Sequence, residues 1–185
     1  MKNKLAYFLF AAFIFGLVSC EGDQTVRYRF TGLDVVPANS AGGFITPTFD
    51  PIPAQTAGIR LLLFPEETYR QGRYFDPQES SVNNENPITV IKIWCNRPFN
   101  ADTAGTLLNN YFVYVPGNYL YAKPLDNGLH PTARYNDDYE YNNFPDHADL
   151  LMRVAPQPGD YTFYVELQMD NGGIYTDSTS TMHLY

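Results

Sequence analysis

Tyr161-Thr162-Phe163-Tyr164-Val165-Glu166-Leu167-Gln168-Met169-Asp170-Asn171-Gly172-Gly173-Ile174 is the stretch that decides the fold. Tyr161, Phe163, Val165, Leu167 and Met169 alternate with Thr162, Tyr164, Glu166, Gln168 and Asp170. A period of two puts the first set on one face of a β-strand and the second on the other. Asn171-Gly172 then supplies two residues that tolerate positive φ, the strongest short-range signal for a hairpin. With those two at the turn centre, the register predicts Met169 opposite Ile174 and Tyr161 opposite Met182. The return strand passes through Ile174, Thr176, Ser178, Ser180 and Met182. His183, out of phase with these, is expected to face solvent.

Working outward, the same period recurs upstream. Val26, Tyr28 and Phe30 alternate with Arg27 and Arg29 in a half-buried strand over 25–31. Residues 37–57 hold Pro37, Pro47, Pro51, Pro53 and Gly42-Gly43, and permit only short extended pieces. Gly58 to Phe64 is a near-continuous apolar run, expected to be a strand buried on both faces and ended by Pro65. Residues 66–86 read as a long polar connection with one helical turn at 66–70. In Ile88 to Cys95, Ile91, Ile93 and Cys95 share one face, and Val90, Lys92 and Trp94 the other. Thr106 to Val115 is a further strand, 122–148 has no period, and Leu150 to Val154 is a short strand. No helical period runs for ten residues after the first twenty. Short strands separated by turn signals predict an all-β fold, an antiparallel β-sandwich with long irregular loops.

Composition narrows what this fold can do. The chain has 185 residues with 12 Lys+Arg and 20 Asp+Glu. Such an acidic balance argues against nucleic acid as a partner, since few cations are available to neutralise phosphates. Cys20 and Cys95 are the only cysteines; once Cys20 is acylated, as its context below implies, Cys95 has no intramolecular partner, so a disulfide scaffold is excluded and stability must come from packing, with 15 Tyr and 13 Phe supplying area to bury. Cys95, between apolar same-face neighbours, reads as a small core residue rather than a nucleophile.

The first twenty residues are of another kind. Lys2 and Lys4 begin the chain, Leu5 to Val18 carries no charge, and Leu17-Val18-Ser19-Cys20 follows. A basic start, a short apolar run and a small-residue site make a secretory signal. The Leu-x-Ser-Cys ending resembles the lipobox of bacterial lipoproteins. That resemblance implies a signal peptide at 1–19, diacylglyceration of Cys20, and a tether over 20–25 leading into one domain at 26–185. Membrane attachment would then run through acyl chains on Cys20, placing the protein in the cell envelope, at the outer membrane on its periplasmic or surface side. Cleavage ahead of Cys20 removes two bases and no acid, leaving 166 residues with 10 basic and 20 acidic side chains.

Pro156-x-Pro158-Gly159-Asp160-Tyr161 running into a strand and a terminal hairpin resembles the last two strands of immunoglobulin-like domains, with Tyr161 where they often place a corner tyrosine. The run Ile91-x-Ile93-Trp94-Cys95-Asn96-Arg97-Pro98-Phe99-Asn100, with the Asp170-Asn171-Gly172-Gly173 hairpin, resembles small uncharacterised envelope lipoproteins of Bacteroidota, a group with no assigned activity.

No Gly-x-Ser-x-Gly elbow and no phosphate-cradling Gly-rich loop is present, so neither a catalytic residue nor a cofactor is expected. Asp146-His147-Ala148-Asp149, with Asp137, Asp138 and Glu140 upstream, offers oxygen ligands for a loose calcium site. The spacing fits no EF-hand, a solvated acidic loop is the plainer reading, and no metal residue is assigned. Residues 111–144 concentrate aromatics among Asn, Asp and Glu. Either these tyrosines pack a sandwich edge, or they form a recognition face for a glycan or a protein. Tyr135, Tyr139 and Tyr141 are the candidate binding residues of that second reading. The chain is accordingly expected to be a non-catalytic binding module for glycan or protein, or else a structural or accessory subunit of a surface assembly such as a fimbria or a nutrient-uptake complex.

Overall fold

The structure is a computed structural model, and it describes residues 25–71, 81–115, 123–125, 132–133 and 145–185. The strands in chain order are β1 (Thr25–Asn39), β2 (Thr46–Pro47), β3 (Ala57–Gln71), β4 (Ser81–Asn84), β5 (Ile88–Cys95), β6 (Phe112–Val115) and β7 (Lys123–Pro124). They continue as β8 (Thr132–Ala133), β9 (Pro145–Met152), β10 (Gly159–Tyr161), β11 (Phe163–Met169), β12 (Ile174–Ser178) and β13 (Met182–Leu184). Single 3-10 turns at Ala54–Thr56 and Asn109–Tyr111 are the helical elements among the described residues. No helix there is long and apolar enough to cross a membrane.

The fold is an all-β antiparallel sandwich, as the alternation predicts. One sheet has the order β2-β1-β3-β9-β6-β7, with β4 added to β1 and β8 to β9. A three-stranded sheet has the order β12-β11-β5, and β10 pairs with β13 in a two-stranded piece. A parallel bridge joins Ile52 to Leu184.

The chain divides into two compact units. In the smaller, the described residues are 25–28, 67–71 and 81–83. Val26 and Tyr28 are buried there, the Arg27 guanidinium lies 5.3 Å from the centre of the Tyr69 ring, and Arg70 pairs with Glu67. The larger unit, Arg29–Glu66 with Asn84–Tyr185, holds the main core. Its inward rows are cross-strand neighbours: Ile59 faces Leu150, which faces Tyr114, and Phe112 faces Met152. From the three-stranded sheet come Ile91, Ile93 and Cys95 with Phe163, Val165, Leu167 and Met169, all buried. Phe112 meets Phe163 edge-on at 5.8 Å and so joins the two layers. Phe99 packs against Tyr111, Tyr161 and Phe163 with ring centres 5.0 to 6.1 Å apart.

Tyr161 anchors this cluster. It is fully buried, and its hydroxyl donates to the Gln157 carbonyl at 2.8 Å, four residues upstream. The Arg97 guanidinium covers the ring at 4.8 Å. Gly159, at φ 147°, leaves room for that guanidinium, since a Cβ there would stand 2.1 Å from Arg97 Nη1.

Several sequence expectations are corrected. β1 continues past Thr31 to Asn39. β3 passes through Pro65 to Gln71, so residues 66–70 are strand and not a helical turn. Its register with β9 ends at Leu62 opposite His147, three residues before Pro65, so the missing N–H of Pro65 costs the β9 ladder nothing. β3 is not buried on both faces: Ile59, Leu61 and Leu63 are inside, but Phe64 is 45% exposed. The strand expected over 106–115 is only Phe112–Val115. The chain before it instead covers the edge of β5: Leu108 N donates to Ile93 O at 2.7 Å, and the Asn109 side chain bonds both Ile93 N and Ile91 O. The strand expected over 150–154 is β9, which begins at Pro145.

The terminal hairpin forms, with a different register. Gln168 faces Ile174, one residue off the expected pairing. Met169 N donates to Gly173 O at 2.8 Å and Gly172 N to Met169 O at 3.0 Å, closing a three-residue loop of Asp170, Asn171 and Gly172. Gly172 takes φ 84°, the left-handed position such a loop requires. Met169 is consequently buried, while Ile174 is 59% exposed on the opposite face. The side chains turned inward on the return strand are Tyr175 and Asp177, not Ile174 and Thr176. Tyr161 does face Met182, because the return strand has one extra residue between Thr179 and Met182 that offsets the longer turn. His183 is exposed, as expected, with Nδ1 2.6 Å from Asp160 Oδ1.

Candidate functional site

The β1–β2 hairpin presents the most exposed aromatic side chains among the described residues. Ala38 faces Pro47 and Asn39 faces Thr46. The intervening loop turns through Gly43 at φ 78°, with Gly43 N donating to Ser40 O at 3.2 Å. Asn39 Oδ1 accepts from Ala41 N at 2.9 Å, which tightens the start of the turn.

The loop is braced from below. Ser40 N and Ser40 Oγ both donate to Thr56 O, at 3.0 and 3.1 Å. Arg60 Nη2 donates to Ile45 O at 2.8 Å. Ile45, Ala38 and Val115 form a small buried cluster flanked by Leu151, on the face of the large sheet opposite the main core. With Ile45 turned in to seal that cluster, its neighbour Phe44 is turned out and is 68% exposed. Phe49, just past β2, is 76% exposed.

The brace depends on an ion pair. Arg60 and Asp149 are direct cross-strand partners on β3 and β9. Asp149 Oδ1 accepts from Arg60 Nε at 2.6 Å and Oδ2 from Nη2 at 2.9 Å. The fork geometry fixes the guanidinium plane and aims its remaining donors at the loop.

A second polar-aromatic array lies on the outer face of the three-stranded sheet. Trp94 and Tyr164, cross-strand partners, stack with centres 5.8 Å apart and planes 12° from parallel. Beside them Glu166 Oε1 accepts from Lys92 Nζ at 2.7 Å and from Gln168 Nε2 at 2.9 Å. These bonds hold the Glu166 carboxyl below its ordinary pKa, the Lys92 bond being the larger cause.

Comparison with known proteins finds no matching family, curated protein or solved structure. The chain's own geometry therefore carries the functional argument.

Among the sequence candidates, Cys20, Tyr135, Tyr139 and Tyr141 lie outside the described residues, as do Asp137, Asp138 and Glu140. Of the aromatics in 111–144 that are described, Phe112 and Tyr114 are buried, and Tyr111 donates to Asp102 Oδ2 at 2.7 Å beside Phe99. Those three pack the fold. Asp149, read as a possible calcium ligand in a loop, is instead a buried strand residue committed to Arg60. Among the described residues no group of three or more His, Cys, Asp or Glu is placed to hold a metal ion. Cys95 is buried with a free thiol that lies 3.0 Å from Arg97 O, and burial raises its pKa. Phe44 and Phe49 escaped the sequence reading. The signal was available: two phenylalanines within a stretch of four prolines and paired glycines have no strand to carry them into a core.

Proposed function

We propose that this chain is a lipid-anchored, non-catalytic binding module of the cell envelope, which takes a protein or a glycan on its β1–β2 hairpin. The observation that carries this is the exposure of Phe44 and Phe49, 68 and 76%, on a hairpin fixed by Arg60 and Ser40. Exposed aromatics on a rigid support offer a large contact area with little entropy left to lose on binding, which is the composition of interface anchors. Single exposed apolar residues are ordinary. Here Phe44 is turned out beside Ile45, whose carbonyl is held by the Arg60 of a buried ion pair, and Phe49 is exposed just past β2.

The anchor belongs to this reading through the sequence. Leu17-Val18-Ser19-Cys20 resembles a lipobox, with acylation of Cys20 and residence at the outer membrane. The immunoglobulin-like assignment is supported by the order β12-β11-β5, in which the terminal hairpin sits beside β5, and by the Tyr161 hydroxyl bonded back to Gln157 ahead of β11.

Two experiments test the reading. Metabolic labelling with a fatty-acid probe should mark the parent chain and not Cys20→Ala; an unlabelled, membrane-bound parent defeats the anchor. For the hairpin, binding to an array of pyranose oligosaccharides and to membrane-protein extracts of the source cell should fall at least tenfold in Phe44→Ala/Phe49→Ala at unchanged melting temperature. Equal binding by parent and variant defeats the hairpin site.

A further inference from the structure

We propose that β12 is an interface strand that pairs with β12 of a second copy of this chain, antiparallel about Thr176. This goes beyond the binding role assigned to the β1–β2 hairpin and does not depend on it.

The three-stranded sheet has two edges, and the chain treats them differently. Along β5 the outward groups are covered: Ile91 O by the Asn109 amide, Ile93 N and O by Asn109 and Leu108, and Cys95 O by Gly105 N at 3.0 Å. Along β12 they have no partner among the described residues. The bonds of Met169 N to Gly173 O and of Thr179 N to Phe163 O fix which return-strand residues turn their backbone toward β11, namely Gly173, Tyr175, Asp177 and Thr179. In an antiparallel ladder the alternate residues turn theirs away. The N–H and C=O groups of Ile174, Thr176 and Ser178 are therefore directed outward.

The usual protections of an edge are lysine, proline, a bulge or a covering loop. The outward positions of β12, Ile174, Thr176 and Ser178, carry no lysine or proline, and no loop among the described residues bonds to them. The single charge on the strand, Asp177, is turned inward, where its Oδ2 accepts from Val35 N at 2.7 Å; Tyr175 is also held inward, donating to Phe30 O at 2.9 Å.

The chemistry of the strip selects a second copy as occupant. A two-fold axis through Thr176 brings Thr176 against its own counterpart and Ile174 against Ser178 in both directions. Thr–Thr and Ile–Ser pairs are favourable or neutral across strands, whereas like charges directly opposed are destabilising. In a chain with 20 acidic residues against 12 basic, an uncharged edge is where two copies approach without juxtaposing like charges. A closed two-fold pairing also consumes the edge on both copies, so the assembly stops at a dimer.

The test uses the full-length chain in membranes. Residues facing each other in a hydrogen-bonded antiparallel pair have Cα atoms about 5.5 Å apart, within disulfide range. Mild oxidation of Thr176→Cys should give a species of twice the monomer mass on a non-reducing gel. Asn171→Cys, exposed at the hairpin tip and off the axis, should not, and neither should the parent chain. Sedimentation of detergent-solubilised protein should show a dimer for the parent and a monomer for Thr176→Pro and Thr176→Lys, with melting temperatures kept, because the Thr176 N–H has no backbone partner among the described residues. A parent monomeric at every concentration, a dimer indifferent to both substitutions, or cross-linking equal at Asn171 overturns the proposal.

Discussion

Asp149 grips Arg60 with both carboxylate oxygens, at 2.6 and 2.9 Å, with the two side chains only 5 and 13% exposed. Little water reaches the pair, so removing one partner strands the other charge in a poorly solvated place. Asp149→Ala should cost about 3–5 kcal/mol in urea unfolding. Replacing both, as Arg60→Met/Asp149→Leu, should recover most of that loss, since two apolar residues of similar volume need no pairing. A double variant as unstable as the single one would show that the bond from Arg60 to Ile45 O matters more than the ion pair.

Tyr161 joins the turn before β11 to the aromatic cluster. Tyr161→Phe keeps the ring and removes the donor to Gln157 O. The loss should be about 1–3 kcal/mol, the cost of leaving a shielded carbonyl without its partner. Gly159→Ala should be worse than its left-handed backbone alone explains, because its Cβ would displace Arg97 from the Tyr161 ring. Equal stability of Gly159→Ala and the parent by thermal unfolding would contradict this packing.

Gly172 isolates backbone strain from packing. Its φ is 84°, and a Cβ there would meet nothing within 4 Å. Gly172→Val should therefore destabilise by about 1 kcal/mol or somewhat more, and Gly172→Asn by clearly less, since Asn tolerates the left-handed region. If both cost the same, the loop has changed its conformation.

Cys95 is 2% exposed, and burial raises its pKa, so the native protein holds it as a thiol. A thiol reagent should label it slowly in the native state, and quickly once urea opens the sheet. Cys95→Ala should cost about 1–2 kcal/mol for the small cavity. Rapid native labelling would show that the β5 edge opens locally.

The outer-face carboxyl gives a pH signature. Glu166 has a folded pKa below its unfolded value, chiefly through the Lys92 bond and then the Gln168 bond. Its contribution is thus complete above the ordinary Glu pKa and is lost as pH falls through the depressed folded value. Lys92→Met should flatten that acid-side slope in a series of melting temperatures; an unchanged slope would mean that Gln168 holds the carboxyl alone.

What the sequence determined by itself is the local pattern. The period of two in 161–169 and 88–95 assigns faces correctly, burying Phe163, Val165, Leu167, Ile91, Ile93 and Cys95, because one buried face is the physical requirement that alternation encodes. The place of Tyr161 ahead of a strand was likewise legible. Turn length was not. Asn171-Gly172 serves a two- or a three-residue loop equally well, and the choice rests on distant partners: Asp170 N donates to Pro87 O, and the ladder with β5 steps by one between Gln168 and Met169. The functional surfaces were hidden for the same reason. Asp149 reads as a solvated acid until β3 sets Arg60 opposite it, and Phe44 reads as a loop residue until Ile45 seals the cluster beneath. Which side chains end up exposed depends on contacts between residues tens of positions apart, and those contacts exist only once the sheets have formed.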